Sequence, residues 1–196
     1  MAKTIEKWGN DVPDDFRFTF KISGTITHAR ELNYNLEDIE KFLQVVNHIG
    51  NKKGCLLIQF PPSVKISFLR KFRNLLEDFY QTDAIKGWKV AVEFRDKSWY
   101  RDVVYRFLEQ YGACVVVHDI PASSTPLIDM EASFVYLRFH GEKGDYRGTY
   151  SNDILEEQGT YIREWLEEGK RVFAYFNNTI GEAVHDAAIL KTNIFM

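Results

Sequence analysis

The chain has 196 residues, of which 45% are hydrophobic and 15% aromatic, enough for one domain with a sizeable core. Its net charge of −3 argues against a protein that coats nucleic acid electrostatically, though not against a small basic pocket inside an acidic exterior. No apolar run approaches the ~20 residues of a membrane helix, and the N-terminal MAKTIEKWGNDVPDDF lacks the apolar core of a secretory signal.

In chain order, Thr4–Trp8 reads as the tail of a helix leading into a first strand, Phe16–Ser23. Leu36, Ile39, Leu43, Val46 and Ile49 then recur at helical spacing, with Asn35 as the expected N-cap. The second strand is Cys55–Phe60, followed by a helix marked by Phe68, Leu69, Phe72, Leu75, Leu76 and Phe79. The third is Lys89–Arg95, followed by a helix carrying Val103, Val104, Phe107, Leu108 and Tyr111. A fourth strand, Ala113–Asp119, leads instead into a proline-containing loop, Ile120–Ala132. The fifth, Phe134–His140, precedes a helix capped by Ser151. The sixth, Arg171–Asn177, precedes a last helix whose buried face is predicted to be Ala183, Val184, Ala187 and Leu190. Cys55 and Cys114 each open an apolar run and lack CxxC spacing, which suits buried free thiols in a reducing cytoplasm.

Alternating strands and helices imply a parallel sheet and an α/β fold. Strand faces choose between an open sheet and a barrel. Phe16, Phe18, Phe20 and Ile22 oppose Arg17, Thr19, Lys21 and Ser23, and Val135, Leu137 and Phe139 oppose Tyr136, Arg138 and His140. A polar face is costly in a sheet covered by helices on both sides, whereas a barrel accepts it at the mouth of its lumen. The expectation is therefore a single domain, residues 1–196, of the (β/α)8 TIM-barrel type, incomplete with six of eight βα units. The two units are expected to be missing before Met1, through truncation, a mis-assigned start or a degraded copy, and the exposed strand edges would then invite pairing.

Several motifs resemble one family. They are Val92-Glu93-Phe94-Arg95 with Ser98-Trp99, Val117-His118-Asp119, Tyr136-Leu137-Arg138-Phe139-His140-Gly141, Tyr146, Tyr150-Ser151 and Tyr175-Phe176-Asn177-Asn178. In this order they resemble the YecE-like proteins, the domain of unknown function 72 family. Phe18–His28 and Leu57–Pro61 look like that family's third and fourth strands. The resemblance implies a (β/α)8-type barrel and no known reaction. It also implies that a first strand with a Gly-Ser-Gly turn, and a second with a glutamate-asparagine pair, have no counterpart here. His185-Asp186-Ala187 departs from the family by standing where an asparagine before the alanine is common.

The inward strand-end residues are predicted to be Lys21, Gln59, Glu93, Arg95, His118, Arg138, His140, Tyr175 and Asn177, with Thr27, His28, Trp99, Asp119 and Tyr146 in adjoining loops. Their cationic excess would attract a small phosphate- or carboxylate-bearing ligand, with Arg95 and Arg138 gripping it in bidentate fashion. Glu93, His118 and His140 are the candidate acid–base groups. Trp99 and Tyr146 would wall the pocket. Each residue also has a bland reading: Glu93 and Arg95 as a buried ion pair, His118 as a core histidine tied to Asp119, and Asn178 as a turn residue. No cofactor is expected. A divalent metal at His118, Asp119, His140 and Glu93 is the less favoured alternative, since the histidines lack HxH or HExxH spacing and arginines lie near. The expected activity is isomerisation, elimination or hydrolysis, the alternatives being a non-catalytic maturation factor and a nucleic-acid-processing barrel.

Overall fold

The structure is a computed structural model and describes residues 1–126 and 130–195. The chain divides into two compact units, Met1–Trp99 and Tyr100–Met196. Both are α/β with parallel strands, and no closed barrel is seen among the described residues.

The first unit opens with helix α1 (Ala2–Asn10) and strand β1 (Phe18–Lys21), then a short helix α2 (Gly24–Thr27) and helix α3 (Leu36–Val46). Strand β2 (Lys53–Phe60), helix α4 (Leu69–Gln81) and strand β3 (Lys89–Phe94) follow. The order β1-β2-β3 is parallel throughout. β1 is shorter than expected because its pairing with β2 shifts between Phe18 and Phe20. Gly54 sits at that shift, where a Cβ would lie 2.7 Å from the Phe18 carbonyl oxygen, so only glycine lets the two backbones close. α3 buries Ile39, Leu43 and Val46 but leaves Leu36 half exposed, and Asn35 makes no side-chain cap bond.

Apolar residues of α4, β2 and β3 form the core of this unit. Phe60 and Phe94 are register partners and stack at 5.9 Å, with Phe72 of α4 edge-on to both. The turn after β3 delivers Trp99 into this group, stacked on Phe94 at 4.6 Å.

The second unit contains helix α5 (Asp102–Glu109), strands β4 (Cys114–Val115), β5 (Val117–His118), β6 (Phe134–Phe139) and β7 (Arg147–Gly148), helix α6 (Asn152–Glu167), strands β8 (Arg171–Phe176) and β9 (Ile180–Gly181), and helix α7 (Ala183–Phe195). The expected strand Ala113–Asp119 is broken at Val116. Thr125 explains the break: its hydroxyl donates to the Val116 carbonyl at 2.8 Å and accepts from His118 N–H at 3.2 Å, so a loop side chain replaces part of the ladder. Of the loop expected over Ile120–Ala132, Leu127–Asp129 lie outside the described residues; the remainder carries no helix or strand.

β5-β6-β8 are parallel, and α6 and α7 cover one face through Leu155, Ile162 and Leu190 against Leu137 and Phe139. Ser151 caps α6 as expected, accepting from Ile154 N–H at 3.4 Å. α7 is turned relative to the expected face. Val184 is 86% exposed while Asp186 and Leu190 are buried. The cause is the Asp186 carboxylate, which accepts from the Thr149 hydroxyl at 2.5 Å, Asn178 Nδ2 at 2.6 Å and Tyr150 N–H at 3.3 Å. Three hydrogen bonds to a buried carboxylate outweigh burial of one valine.

Candidate functional site

In the first unit the strand ends carry Lys21, Gln59, Glu93 and Arg95. Gln59 and Glu93 are register partners on the face opposite Phe60 and Phe94. Glu93 is fully buried and pairs with Arg95, whose side chain is 11% exposed. A buried carboxylate needs a partner, and Arg95 supplies one. Lys21 is exposed, and the loop after β1 places His28 near it: burial first, then the Lys21 charge, holds the His28 imidazole below its usual range. Trp99 lies in the core and not on a pocket wall. It is fully buried and its indole N–H donates to the Val64 carbonyl at 2.7 Å.

In the second unit, parallel register aligns His118, Arg138 and Tyr175 in one row across β5, β6 and β8. Alternation then sends their side chains to one face, and Val117, Leu137 and Phe139 to the helix-covered face. Tyr136 stacks on Tyr175 at 5.0 Å, filling the row behind Arg138.

The His118 Nδ1 accepts from Ile120 N–H at 3.3 Å, its Nε2 lies 3.2 Å from the Tyr100 hydroxyl, and that hydroxyl donates to the Ser123 carbonyl at 2.6 Å. Asp119 is bonded to His140. Its carboxylate accepts from the His140 backbone N–H at 2.9 Å, from His140 Nδ1 at 3.1 Å and from the Tyr150 hydroxyl. Burial alone would push the Asp119 carboxyl up, but the bonds from His140 and Tyr150 outweigh it and hold it below the usual carboxylate range. Burial, then the bond to Asp119, drives the Tyr150 hydroxyl far above its ordinary value, so it remains a proton donor. Holding Nδ1–H against a carboxylate leaves Nε2 as the basic nitrogen of neutral His140.

The loop after β6 completes the arrangement. Gly141 has φ +91°, and a Cβ there would lie 2.5 Å from the Arg147 carbonyl oxygen. Its N–H donates to the Tyr150 hydroxyl at 2.5 Å. Gly141→Ala is expected to cost about 1–3 kcal/mol, since it adds a left-handed side chain and a clash at once; a urea melt measures it, and an unchanged midpoint contradicts the packing described. The stretch Glu142–Gly148 ends in β7, which pairs with β9. Tyr146 also adopts a left-handed backbone, φ +66°, and its ring stands edge-on to His140 at 5.4 Å. Tyr175 and Asn177 lie at the end of β8, with Asn177 N–H donating to the Phe139 carbonyl at 2.6 Å.

The structure thus gathers His118, Asp119, Arg138, His140, Tyr146, Tyr175 and Asn177 within the second unit, and Lys21, Gln59, Glu93 and Arg95 within the first. Sequence reasoning missed Tyr100, Tyr150 and Asp186 as members of the networks. Asp186 had left a signal: an acid at helical spacing with Ala183 and Leu190, on what should be an apolar stripe. Among the described residues no group of three or more His, Cys, Asp or Glu side chains could hold a metal ion. No described helix is long and apolar enough to cross a membrane.

Comparison with known proteins agrees with this architecture. A solved DUF72 family protein of Enterococcus faecalis V583 superposes with a TM-score of 0.80 at 20% identity, over 100% of this chain and 80% of that one. Another, of Thermotoga maritima MSB8, gives 0.79 at 26% identity, over 100% and 80%. The UPF0759 protein YunF of Bacillus subtilis strain 168 is 26% identical over 216 residues, 92% of this chain and 73% of its own length. The family described as "Protein of unknown function DUF72" matches residues 1–194, and the chain belongs to that family.

Proposed function

We propose that the strand ends of the second unit bind a small anion bearing a phosphate or carboxylate and exchange a proton with it. The observation that carries this reading is the row His118–Arg138–Tyr175, with His140 beside it held in one tautomer by Asp119. Arg138 supplies the bidentate grip. His140 Nε2 is the base, or the acid once protonated, and the Asp119 carboxylate stabilises the imidazolium. Tyr175 and Asn177 orient the ligand. His118, satisfied through Tyr100 and Ile120, serves the framework; Glu93 and Arg95 serve as an ion pair that supports the first unit. The (β/α)8-type reading belongs to the same proposal and rests on the alternation of strands and helices and on parallel pairing within each sheet.

Isothermal titration with inorganic phosphate, sugar phosphates and short carboxylic acids tests the reading. Arg138→Met should keep the far-ultraviolet spectrum and weaken the best anion at least about tenfold, the loss of a charge-assisted pair. Binding unchanged in that variant would sink the reading. A pure binding protein is the second reading, favoured by the full burial of His140 beneath Tyr146. Turnover of a bound anion, lost in His140→Gln, would exclude it.

A further inference from the structure

A cavity open to solvent beside Glu157 lies on the helix-covered side of the β5–β6 strands. Its volume is about 370 Å³. Its floor is Val117, Leu137 and Phe139, and its wall is one face of α6, carrying Ile154, Glu157, Tyr161 and Trp165. The origin of the cavity is in the chain order. A βα unit ordinarily lays a helix over this part of the sheet, and the described residues of Ile120–Ala132 form none.

The chemistry of the lining is one-sided. Arg138 and His118 also border the cavity, but strand alternation sends their side chains to the face away from Leu137 and Val117. Asp119 borders it too, but its carboxylate is already engaged by His140 and Tyr150, so the charged side chain left for a ligand on the helix side is that of Glu157. Glu157 accepts from the Tyr161 hydroxyl at 3.2 Å, and the Tyr161 and Trp165 rings stand 6.3 Å apart. Lys170, beyond Trp165, borders a smaller neighbouring cavity and pairs with Glu168. Two aromatic rings, the Glu157 carboxylate and an aliphatic floor suit an ammonium group attached to an apolar body.

We infer that this cavity is a binding site for an amphiphilic organic cation, a primary or quaternary ammonium with an alkyl or aryl tail. The tail lies on Val117, Leu137 and Phe139, and the ammonium group lies between Glu157 and the Tyr161 and Trp165 rings. The site does not depend on the anion reading, since Glu157, Tyr161 and Trp165 take no part in it.

The full chain is titrated by isothermal calorimetry with hexylammonium and hexyltrimethylammonium, and with hexanol and hexanoate as neutral and anionic matches. The cations should bind at least about tenfold more tightly than hexanol, and hexanoate should bind least. Glu157→Gln, an exchange on the surface of α6, should erase most of that preference and leave phosphate binding as in the unaltered protein. Gln158→Trp, which fills the cavity from the same helix, should abolish binding of all four probes. Equal binding of cation and alcohol, an unaltered preference in Glu157→Gln, or no cation binding at all overturns the inference.

Discussion

Asp119→Ala should destabilise the protein by about 3 kcal/mol, lowering the melting temperature by roughly 6–12 °C for a chain of this size. The alanine removes the acceptor of three donors: the His140 N–H, its Nδ1–H and the Tyr150 hydroxyl. Each belongs to a buried residue, and an unmet buried donor costs more than the bond it once made. Acid dependence provides a second readout. The folded-state Asp119 carboxyl titrates below its unfolded value. Its contribution is therefore fully present above the unfolded pKa, near ~3.9, and is lost as pH falls through the folded one. Asp119→Ala should flatten the loss of stability below about pH 4 in urea melts taken across that range. A variant as stable as the parent, with an unchanged acid limb, would mean that Asp119 does not hold His140.

Trp99→Ala should cost about 3–5 kcal/mol, the range for removing a large buried ring, because the cavity would open inside a ring cluster that helix α4 and strands β2 and β3 cannot close. Trp99→Phe should restore most of it, retaining the stack on Phe94 and losing the indole bond to Val64. Urea midpoints for both variants measure the difference. A loss under about 1 kcal/mol in Trp99→Ala would return this ring to a pocket wall.

Local periodicity carried the strands and helices because each element buries one face, and burial writes itself into every second or every third and fourth residue. At two of the departures a single polar group over a long span is responsible. Thr125 breaks β4 from β5, and its hydroxyl is nine residues from the carbonyl it satisfies. Asp186 rotates α7 through partners 8 to 37 residues away. The site shows the same limit. Arg138, His118 and Tyr175 are legible as strand ends with one parity, yet the bond between Asp119 and His140 is not. The two residues follow neighbouring parallel strands, β5 and β6, and meet although 21 residues apart. Trp99 read as a loop aromatic because a short turn after β3 gives no periodicity by which to see it fold inward.

The loop bearing Tyr146 is fastened by its main chain. Tyr146 N–H donates to the His140 carbonyl at 2.7 Å, and its own carbonyl accepts from Ile180 N–H at 3.1 Å. Neither clasp uses the phenol ring that shades His140. Exchange of this one side chain therefore changes what stands against the His140 imidazole without removing either main-chain bond that fastens the loop.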